Sequence, residues 1–307
     1  METLWIIPAF MSAALLGLYD ACKKYALKTN DVVPVLFINT LLCSLIFLPL
    51  ILLSATGNIA ESSSLYIPTP LWHSHKYILL KSAIVLSSWI FGYLAMKHLP
   101  LTIVGPINAT RPVMTIIGAL LIFGETLNLW QWAGVTLGII SFFLLSVTGR
   151  KEGIRFSHNR WIYFLVCAAI LGAASGLYDK YLMSAPIAGG VGLNRLEVQS
   201  WYNISQCAMM AIIAIILWWP RRHSAPVTRL GAVAMISIFL TGADLCYFYA
   251  LSLPDSMVSI VSMVRRGSVI VSFLCGALIF HEKNLRAKSF DLLLVLIGLI
   301  LLFIGSR

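Results

Sequence analysis

Residues 101–123 read LTIVGPINATRPVMTIIGALLIF, an apolar run in which Arg111 is the one charged side chain. About 20 such residues, wound as a helix, cross the roughly 30 Å of hydrocarbon in a bilayer. Because no water in that layer can satisfy backbone N–H and C=O groups, a crossing segment has to be helical. The run therefore predicts a membrane span with a charge near its middle.

Similar apolar runs recur along the whole chain of 307 residues, of which 59% are hydrophobic and only 11% charged. A soluble domain normally carries about 25% charged residues, so most of this surface is predicted to face lipid. We predict an all-α polytopic membrane protein with short connections and no soluble domain. Its ten predicted spans are 4–22, 32–53, 77–96, 101–123, 130–148, 160–182, 198–219, 230–251, 256–280 and 288–305.

Three short motifs occur twice, in the same order and at equivalent places in the two halves of the chain. Their offsets are 159, 154 and 157 residues, which indicates one duplication with small insertions. The pairs are Gly-Leu-Tyr-Asp at 17–20 and 176–179, Leu-Pro at 99–100 and 253–254, and GALLIFGE at 118–125 with GALIFHE at 276–282.

The duplication divides the chain into a first repeat, 1–150, and a second repeat, 151–307. Each repeat holds five predicted spans, and an odd number places the second repeat upside down relative to the first. Inverted repeats of this kind form a binding site near the bilayer midplane, where the halves meet, and open it alternately to each side. The organisation therefore favours a carrier.

The chain resembles the EamA type of the drug/metabolite transporter superfamily. The resemblance rests on the ten predicted spans, the five-plus-five repeat, and the Phe-Gly-Glu and Phe-His-Glu that close spans four and nine at 123–125 and 280–282. It implies a transporter rather than an enzyme, with no cofactor, in the plasma (bacterial inner) membrane. Members of that superfamily export amino acids, drugs or metabolites, and relatives exchange nucleotide sugars or sugar phosphates.

Three arginines lie inside predicted spans: Arg111 in span four, and Arg265 and Arg266 in span nine. A charge at the bilayer centre costs about 2.5–3.5 kcal/mol even on insertion scales. Arg111 follows Pro100 by 11 residues and Arg265 follows Pro254 by 11, so inverted symmetry should bring the two together. Guanidinium groups bind carboxylates and phosphates bidentately, which predicts a site for an anion.

An internal ion pair is the alternative explanation for Arg265. Asp244 precedes Pro254 by ten residues, so a hairpin turning at the proline would place both side chains roughly 15 Å from the turn. The matching position of the first half is Ile90, which offers Arg111 no equivalent acid.

Weaker candidates complete the predicted substrate site. Asn108 and Ser262 are polar within spans and could bind a ligand or join helices. Tyr93 and Tyr247 could line the cavity or pack between helices. The full predicted set is Arg111, Arg265, Arg266, Asp244, Asn108, Tyr247, Tyr93 and Ser262.

Charged residues near span ends have simpler explanations. Asp20 lies three and four residues before Lys23 and Lys24, which predicts a local ion pair. Glu125 and Glu282 are explained by helix termination.

Positive charge is distributed unevenly between the two sides. Connections after odd-numbered spans hold fourteen Lys and Arg residues, against five on the other side, Lys81 among the five. The positive-inside rule then places the odd connections in the cytoplasm and both termini outside. The resemblance implies both termini inside, so the orientation stays open.

Together these observations predict a secondary transporter for a small anionic metabolite, a carboxylate or a phosphate. One alternative is an exporter of neutral amino acids or drugs with structural arginines. Alternatives from other classes are an intramembrane enzyme acting on a lipid phosphate and a receptor that transports nothing. The expected partners are a small-molecule substrate and the lipid bilayer, with no nucleic acid. Coupling to protons or to a counter-substrate, and the oligomeric state, stay open.

Overall fold

The computed structural model describes residues 6–305 apart from 64, 70–71, 112, 115–127, 151–157, 184–185, 225, 253–260, 262–263 and 283–284. Those described residues form ten α-helices and no β-strand. In chain order the helices are α1 Ile6–Leu27, α2 Val32–Ala55, α3 Trp72–His98, α4 Leu101–Ala109, α5 Leu129–Arg150, α6 Arg160–Met183, α7 Arg195–Leu217, α8 Leu230–Ser252, α9 Ser268–Leu278 and α10 Leu285–Gly305.

Seven of these helices, α1, α2, α3, α6, α7, α8 and α10, are long and apolar enough to cross a membrane. They confirm an all-helical chain of several spans. Predicted spans four and nine are represented by the shorter helices α4 and α9, since parts of both spans lie outside the described residues. Ten spans in two inverted repeats therefore stays a prediction.

Several helix ends differ from the predicted span limits because polar groups satisfy the terminal backbone. Helix α2 ends in a Schellman motif: the N–H of Asn58 donates to Leu53 O at 3.0 Å, with Gly57 in the left-handed region at φ 75°. Helix α7 begins at a capping box formed by Asn194 and Glu197.

Two predicted limits were wrong by about one helical turn. Helix α1 continues beyond Cys22 to Leu27, carrying Lys23 and Lys24 within the helix. Lysine stems can lie along apolar surface while the ammonium group reaches polar partners, so a basic residue does not end a span. Helix α3 begins at Trp72, five residues before the predicted start at 77.

The largest helix contacts join the first half of the chain to the second. Helix α1 packs against α8 and α9, α3 against α6, α2 against α7, and α5 against α10. A second set joins α4 to α9, α2 to α8 and α3 to α7. Polar residues on these helices therefore meet at the boundary between the halves.

Close packing of α5 against α10 depends on the absence of a side chain at Gly134. A methyl group there would lie 2.8 Å from the carbonyl oxygen of Gly298 and 2.7 Å from Leu302 Cγ. We expect Gly134→Ala to lower the free energy of unfolding by about 1–3 kcal/mol, because the two helices must separate. The measurement is unfolding of the purified protein in mixed micelles.

Gly176→Ala is the matched control for that substitution. Gly176 also lies within a helix, α6, but a methyl group there meets no atom within 4 Å. Because alanine is intrinsically the better helix former, this control should leave stability unchanged or raise it. Equal stability of the two variants would contradict the role assigned to Gly134.

Candidate functional site

Arg265 and Asp244 form a partly buried ion pair. Arg265 Nη2 donates to Asp244 Oδ1, and the two side chains are only 16% and 13% exposed. The guanidinium carbon also lies 4.5 Å from the centre of the Tyr247 ring, within the range of a cation–π interaction. The ion pair predicted from the hairpin geometry is confirmed.

Arg111 lies two residues beyond the end of α4 and faces the second half of the chain. Its Nη2 donates to Asn108 Oδ1 at 3.0 Å. A methyl group added at Gly172 of α6 would be 2.7 Å from Arg111 Nη1. The guanidinium group thus lies directly against the backbone of a second-half helix, where the missing side chain of Gly172 makes room for it.

Arg266 connects the two arginines just described. It is close enough to Arg111, Arg265 and Asp20 to interact with each electrostatically. Arg111 interacts with Asp20 in the same way. Arg266 is thus within electrostatic reach of one arginine from each half of the chain, and we call the three arginines the charged cluster.

Asp20 is a fourth element of the cluster and joins helices of both halves. Lys23 Nζ donates to its Oδ1 at 2.7 Å, and Ser272 Oγ of α9 donates to its Oδ2 at 3.2 Å. Lys23 Nζ also lies 4.3 Å and 5.0 Å from the ring centres of Tyr19 and Tyr93. The hydroxyl groups of these tyrosines are 3.3 Å apart. The local pair predicted for Asp20 and Lys23 is confirmed.

Lys24 does not take part in that pair, contrary to the prediction. Its Nζ donates to the carbonyl oxygens of Met96, at 2.7 Å, and Leu99. The last carbonyls of a helix have no partner within the helix, and the end of α3 supplies them to Lys24. The lysine therefore fastens α1 to α3.

A third ion pair continues the polar region toward the other side of the protein. Lys81 of α3 donates to Asp179 Oδ1 of α6, and its Nζ lies 5.2 Å from the centre of the Tyr202 ring. Tyr202 in turn interacts electrostatically with Asp244 and Arg265. Lys81, which the sequence analysis counted with the cations of one membrane side, is thus paired inside the protein and only 5% exposed.

Comparison with known proteins identifies the first half of the chain directly. Residues 3–147 match the EamA-like transporter family. This half of the chain belongs to the EamA type of the drug/metabolite transporter superfamily.

The fold of the whole chain is similar to that of a protein solved by crystallography, with a TM-score of 0.61. The two share 13% sequence identity, and the likeness covers 100% of this chain and 99% of the other. At that identity the comparison shows a shared fold alone. A search of curated proteins finds no match.

Glu282, the glutamate at the end of the second EamA-type motif, caps helix α4 of the first half. Its Oε1 accepts the N–H of Leu101 at 2.6 Å, and its Oε2 accepts both the N–H of Thr102, at 2.8 Å, and the Thr102 hydroxyl. Lys288 Nζ, fully buried, donates to the same hydroxyl oxygen at 2.8 Å. Termination of its own span was therefore the wrong explanation for Glu282, because the carboxylate caps the start of another helix. Glu125 lies outside the described residues.

Of the eight residues predicted for the substrate site, Ser262 lies outside the described residues. Asn108, Tyr93 and Tyr247 each contact a member of the charged cluster, as described above. The predicted set missed the pairs formed by Asp20 and Asp179 with their lysines. Both aspartates belong to the repeated Gly-Leu-Tyr-Asp motif, which was the signal that could have placed them in the site.

Proposed function

We propose that this EamA-type protein is a secondary transporter that carries a small anionic metabolite, a carboxylate or a phosphate, across the plasma (bacterial inner) membrane. The first repeat, 1–150, and the second, 151–307, would expose the site alternately to each side. Family membership supports membrane transport, and the charged cluster supports the anion.

Helix packing supports the two inverted repeats. In the predicted repeats, helices α1 to α5 are equivalent to helices α6 to α10. Replacing each helix by its equivalent turns the contact of α1 with α8 into the contact of α6 with α3, which is also present. The same exchange converts α2 with α8 into α7 with α3, and leaves α2 with α7, α4 with α9 and α5 with α10 unchanged. A pseudo-two-fold relation between the halves accounts for this pattern, and such a relation is typical of alternating-access carriers.

The single observation that supports an anionic substrate is the cluster of cations that both halves contribute. Arg111 and Lys23 come from the first half, Arg265 and Arg266 from the second, and they lie around Asp20 and Asp244. An anion bound among these groups would be held by donors on either side of the boundary. Because relative motion of the halves changes those contacts, the same residues could bind the substrate and release it.

The test is a thermal-shift screen of the purified full chain against phosphorylated, carboxylated, neutral and cationic metabolites, repeated on Arg111→Ala. A ligand that binds the folded state raises its melting temperature by mass action, so a tenfold loss of affinity removes most of a shift measured near Kd. We expect anions to stabilise the wild type and to lose this effect in the variant. Uptake into proteoliposomes should fall by about tenfold or more, the usual consequence of losing a charged ligand contact.

Arg222→Ala is the matched control, because Arg222 is exposed and contacts Trp219 at the end of α7, outside the cluster. Stabilisation by anions that is equal in wild type and Arg111→Ala would refute the anion site.

A neutral-solute exporter is the second candidate, favoured by the ion pairs within the cluster. Lys23, Lys81 and Arg265 each have an aspartate partner, so several cations serve the protein's own structure. Stabilisation of the wild type by neutral or cationic compounds, with no response to anions, would favour this function.

A further inference from the structure

We infer that Asn30 and Thr228 form a latch, which holds the two halves together at one end of the protein and opens in each transport cycle. The inference rests on the proposed function, since it describes how the substrate site is closed toward one side of the membrane. Asn30 lies in the connection from α1 to α2, and Thr228 lies in the connection from α7 to α8.

The side-chain amide of Asn30 uses its full hydrogen-bonding capacity in this contact. Its Nδ2 donates to Thr228 O at 2.8 Å and to Ala26 O at 2.9 Å. Its Oδ1 accepts the N–H of Thr228 at 2.6 Å and the Thr228 hydroxyl at 3.1 Å. Because an amide group has two donor hydrogens and one oxygen with two lone pairs, three of these four bonds cross to the second half. Asn30 is 2% exposed, which strengthens the bonds by keeping water away.

Neighbouring side chains join the same two connections. The hydroxyl oxygens of Thr29 and Thr228 are 2.9 Å apart. The guanidinium carbon of Arg229 lies 4.3 Å from the centre of the Tyr25 ring, within cation–π range. Arg229 has φ 56°, in the left-handed region that a residue with a side chain adopts at an energetic cost. Backbone strain of this kind is typical of segments that switch between conformations.

The equivalent place at the opposite end of the protein holds a cavity instead of a latch. In the predicted repeats, the connection from α6 to α7 is equivalent to that from α1 to α2, and the connection from α2 to α3 to that from α7 to α8. A cavity of about 400 Å³ lies between the α2–α3 and α6–α7 connections, lined by Ser63, Tyr66, Met183, Leu193, Asn194 and Arg195. Contact at that end is made by helix α7, where Trp201 Nε1 donates to Pro68 O at 3.1 Å. The two ends therefore differ as expected of a carrier that is closed on one side.

The latch lies at the end of α1 that carries Asp20 and Lys23. Asp20 is seven residues before Leu27, the last residue of α1, or roughly 10 Å along the helix. Farther from the latch, roughly 22 Å from the same end of α1, Ser12 Oγ donates to Ala243 O of α8 at 2.6 Å. Opening the latch can then separate the ends of α1 and α8 while the Ser12 contact remains, and would give access to Asp20 from that end.

The experiment locks the latch with a disulfide between the halves. Thr29→Cys combined with Thr228→Cys places two thiols where hydroxyl oxygens lie 2.9 Å apart, close to the separation that a disulfide needs. The full chain in proteoliposomes is oxidised with copper phenanthroline and then reduced with dithiothreitol. Uptake of succinate and of inorganic phosphate is measured in both forms. Each single variant, treated in the same way, is the control, because it keeps the natural cysteines and cannot form this disulfide.

We expect oxidation of the double variant to lower uptake by about tenfold or more, because a locked conformational step limits every cycle. Reduction should restore uptake, and the single variants should not respond. Hydrogen exchange gives a second readout that needs no substrate. The N–H groups of Leu101 and Thr102, which Glu282 of the second half holds at the same end, should exchange about tenfold more slowly in the locked form. The N–H of Leu193, bonded to Leu182 O at the opposite end, should keep its rate.

A weakened latch should have the opposite effect on exchange. Asn30→Asp keeps an acceptor for Thr228 N–H but loses the two donors of the amide, so exchange at Leu101 and Thr102 should rise by about fivefold or more, the equivalent of one net hydrogen bond. Asn58→Asp is the matched control, because Asn58 is exposed in the connection after α2 and its Nδ2 donates only locally, to Thr56 Oγ1.

Three results would overturn the inference. One is uptake at the same rate in the oxidised, cross-linked double variant and in its reduced form. Another is equal exchange at Leu101 and Thr102 in those two forms. The third is failure of the two cysteines to cross-link, because the connections would then not meet. Uptake of neither anion by wild type would instead count against the proposed function, and hydrogen exchange would still decide whether the latch opens.

Discussion

Asp244→Asn is expected to lower the free energy of unfolding by about 2–3 kcal/mol, between the effects of breaking an exposed ion pair and a fully buried one. The change leaves Arg265, 16% exposed in its side chain, without its carboxylate. Tyr247 can then offer the guanidinium group only its ring face, 4.5 Å away. Unfolding in mixed micelles, followed by circular dichroism, measures the difference.

A double-mutant cycle measures the interaction energy between the Arg265 and Asp244 side chains, apart from their contacts with other residues. The two single variants Arg265→Met and Asp244→Leu should be similarly destabilising, because each leaves the other side chain as a charge without its partner. The double variant with Asp244→Leu should recover much of the loss, since replacing a buried pair by apolar residues is often neutral or stabilising. If the three variants lost stability additively, the two side chains would not be coupled, and the pair would have no structural role.

The Arg265–Asp244 pair was predictable because it depends on regular geometry. In the hairpin that the sequence predicts at Pro254, residues ten before and eleven after the proline lie at the same depth, whatever their neighbours are. The duplicated proline motif also makes Arg111 the counterpart of Arg265, and their approach to each other stays a prediction.

The lysine contacts were less predictable. Lys24 lies one residue beyond Lys23, and sequence spacing permits either to reach Asp20. The choice depends on the end of α3, where the carbonyl of Met96 lies 2.7 Å from Lys24 Nζ. The partner of Lys81 was equally hard to predict, because Asp179 is 98 residues away in the sequence. A charge near a predicted span end looks interfacial until the helix packed against it is known.

The position of Glu282 was only partly predictable from the sequence. It follows predicted span nine, and Leu101 begins predicted span four. The end of an odd span and the start of an even one lie on the same side of the membrane, so the sequence did place both at one surface. The contact itself, across 181 residues, depends on α4 packing against α9, which spacing alone does not determine.

Glu282→Ala is expected to destabilise the protein by about 3 kcal/mol, because hydrogen bonds to a charged acceptor contribute about 1.5–3 kcal/mol each and an N-cap about 1 kcal/mol. The variant removes the acceptor of the N–H groups of Leu101 and Thr102, at 2.6 Å and 2.8 Å, and of the Thr102 hydroxyl. It also removes the negative charge at the start of α4, where the helix dipole favours one. Unfolding in mixed micelles is again the measurement.

Glu282→Gln and Glu61→Ala make this prediction specific to the cap. Glutamine keeps one oxygen and can still accept at α4, so we expect about half of the loss, as neutral hydrogen bonds are about half as strong as charge-assisted ones. Glu61 is exposed in the connection after α2, and its truncation should leave stability unchanged. Since Glu282 joins the two halves, its loss should also free α4 from the second half and increase hydrogen exchange at Leu101 and Thr102. Unchanged exchange at those two amides would show that α4 begins without help from Glu282.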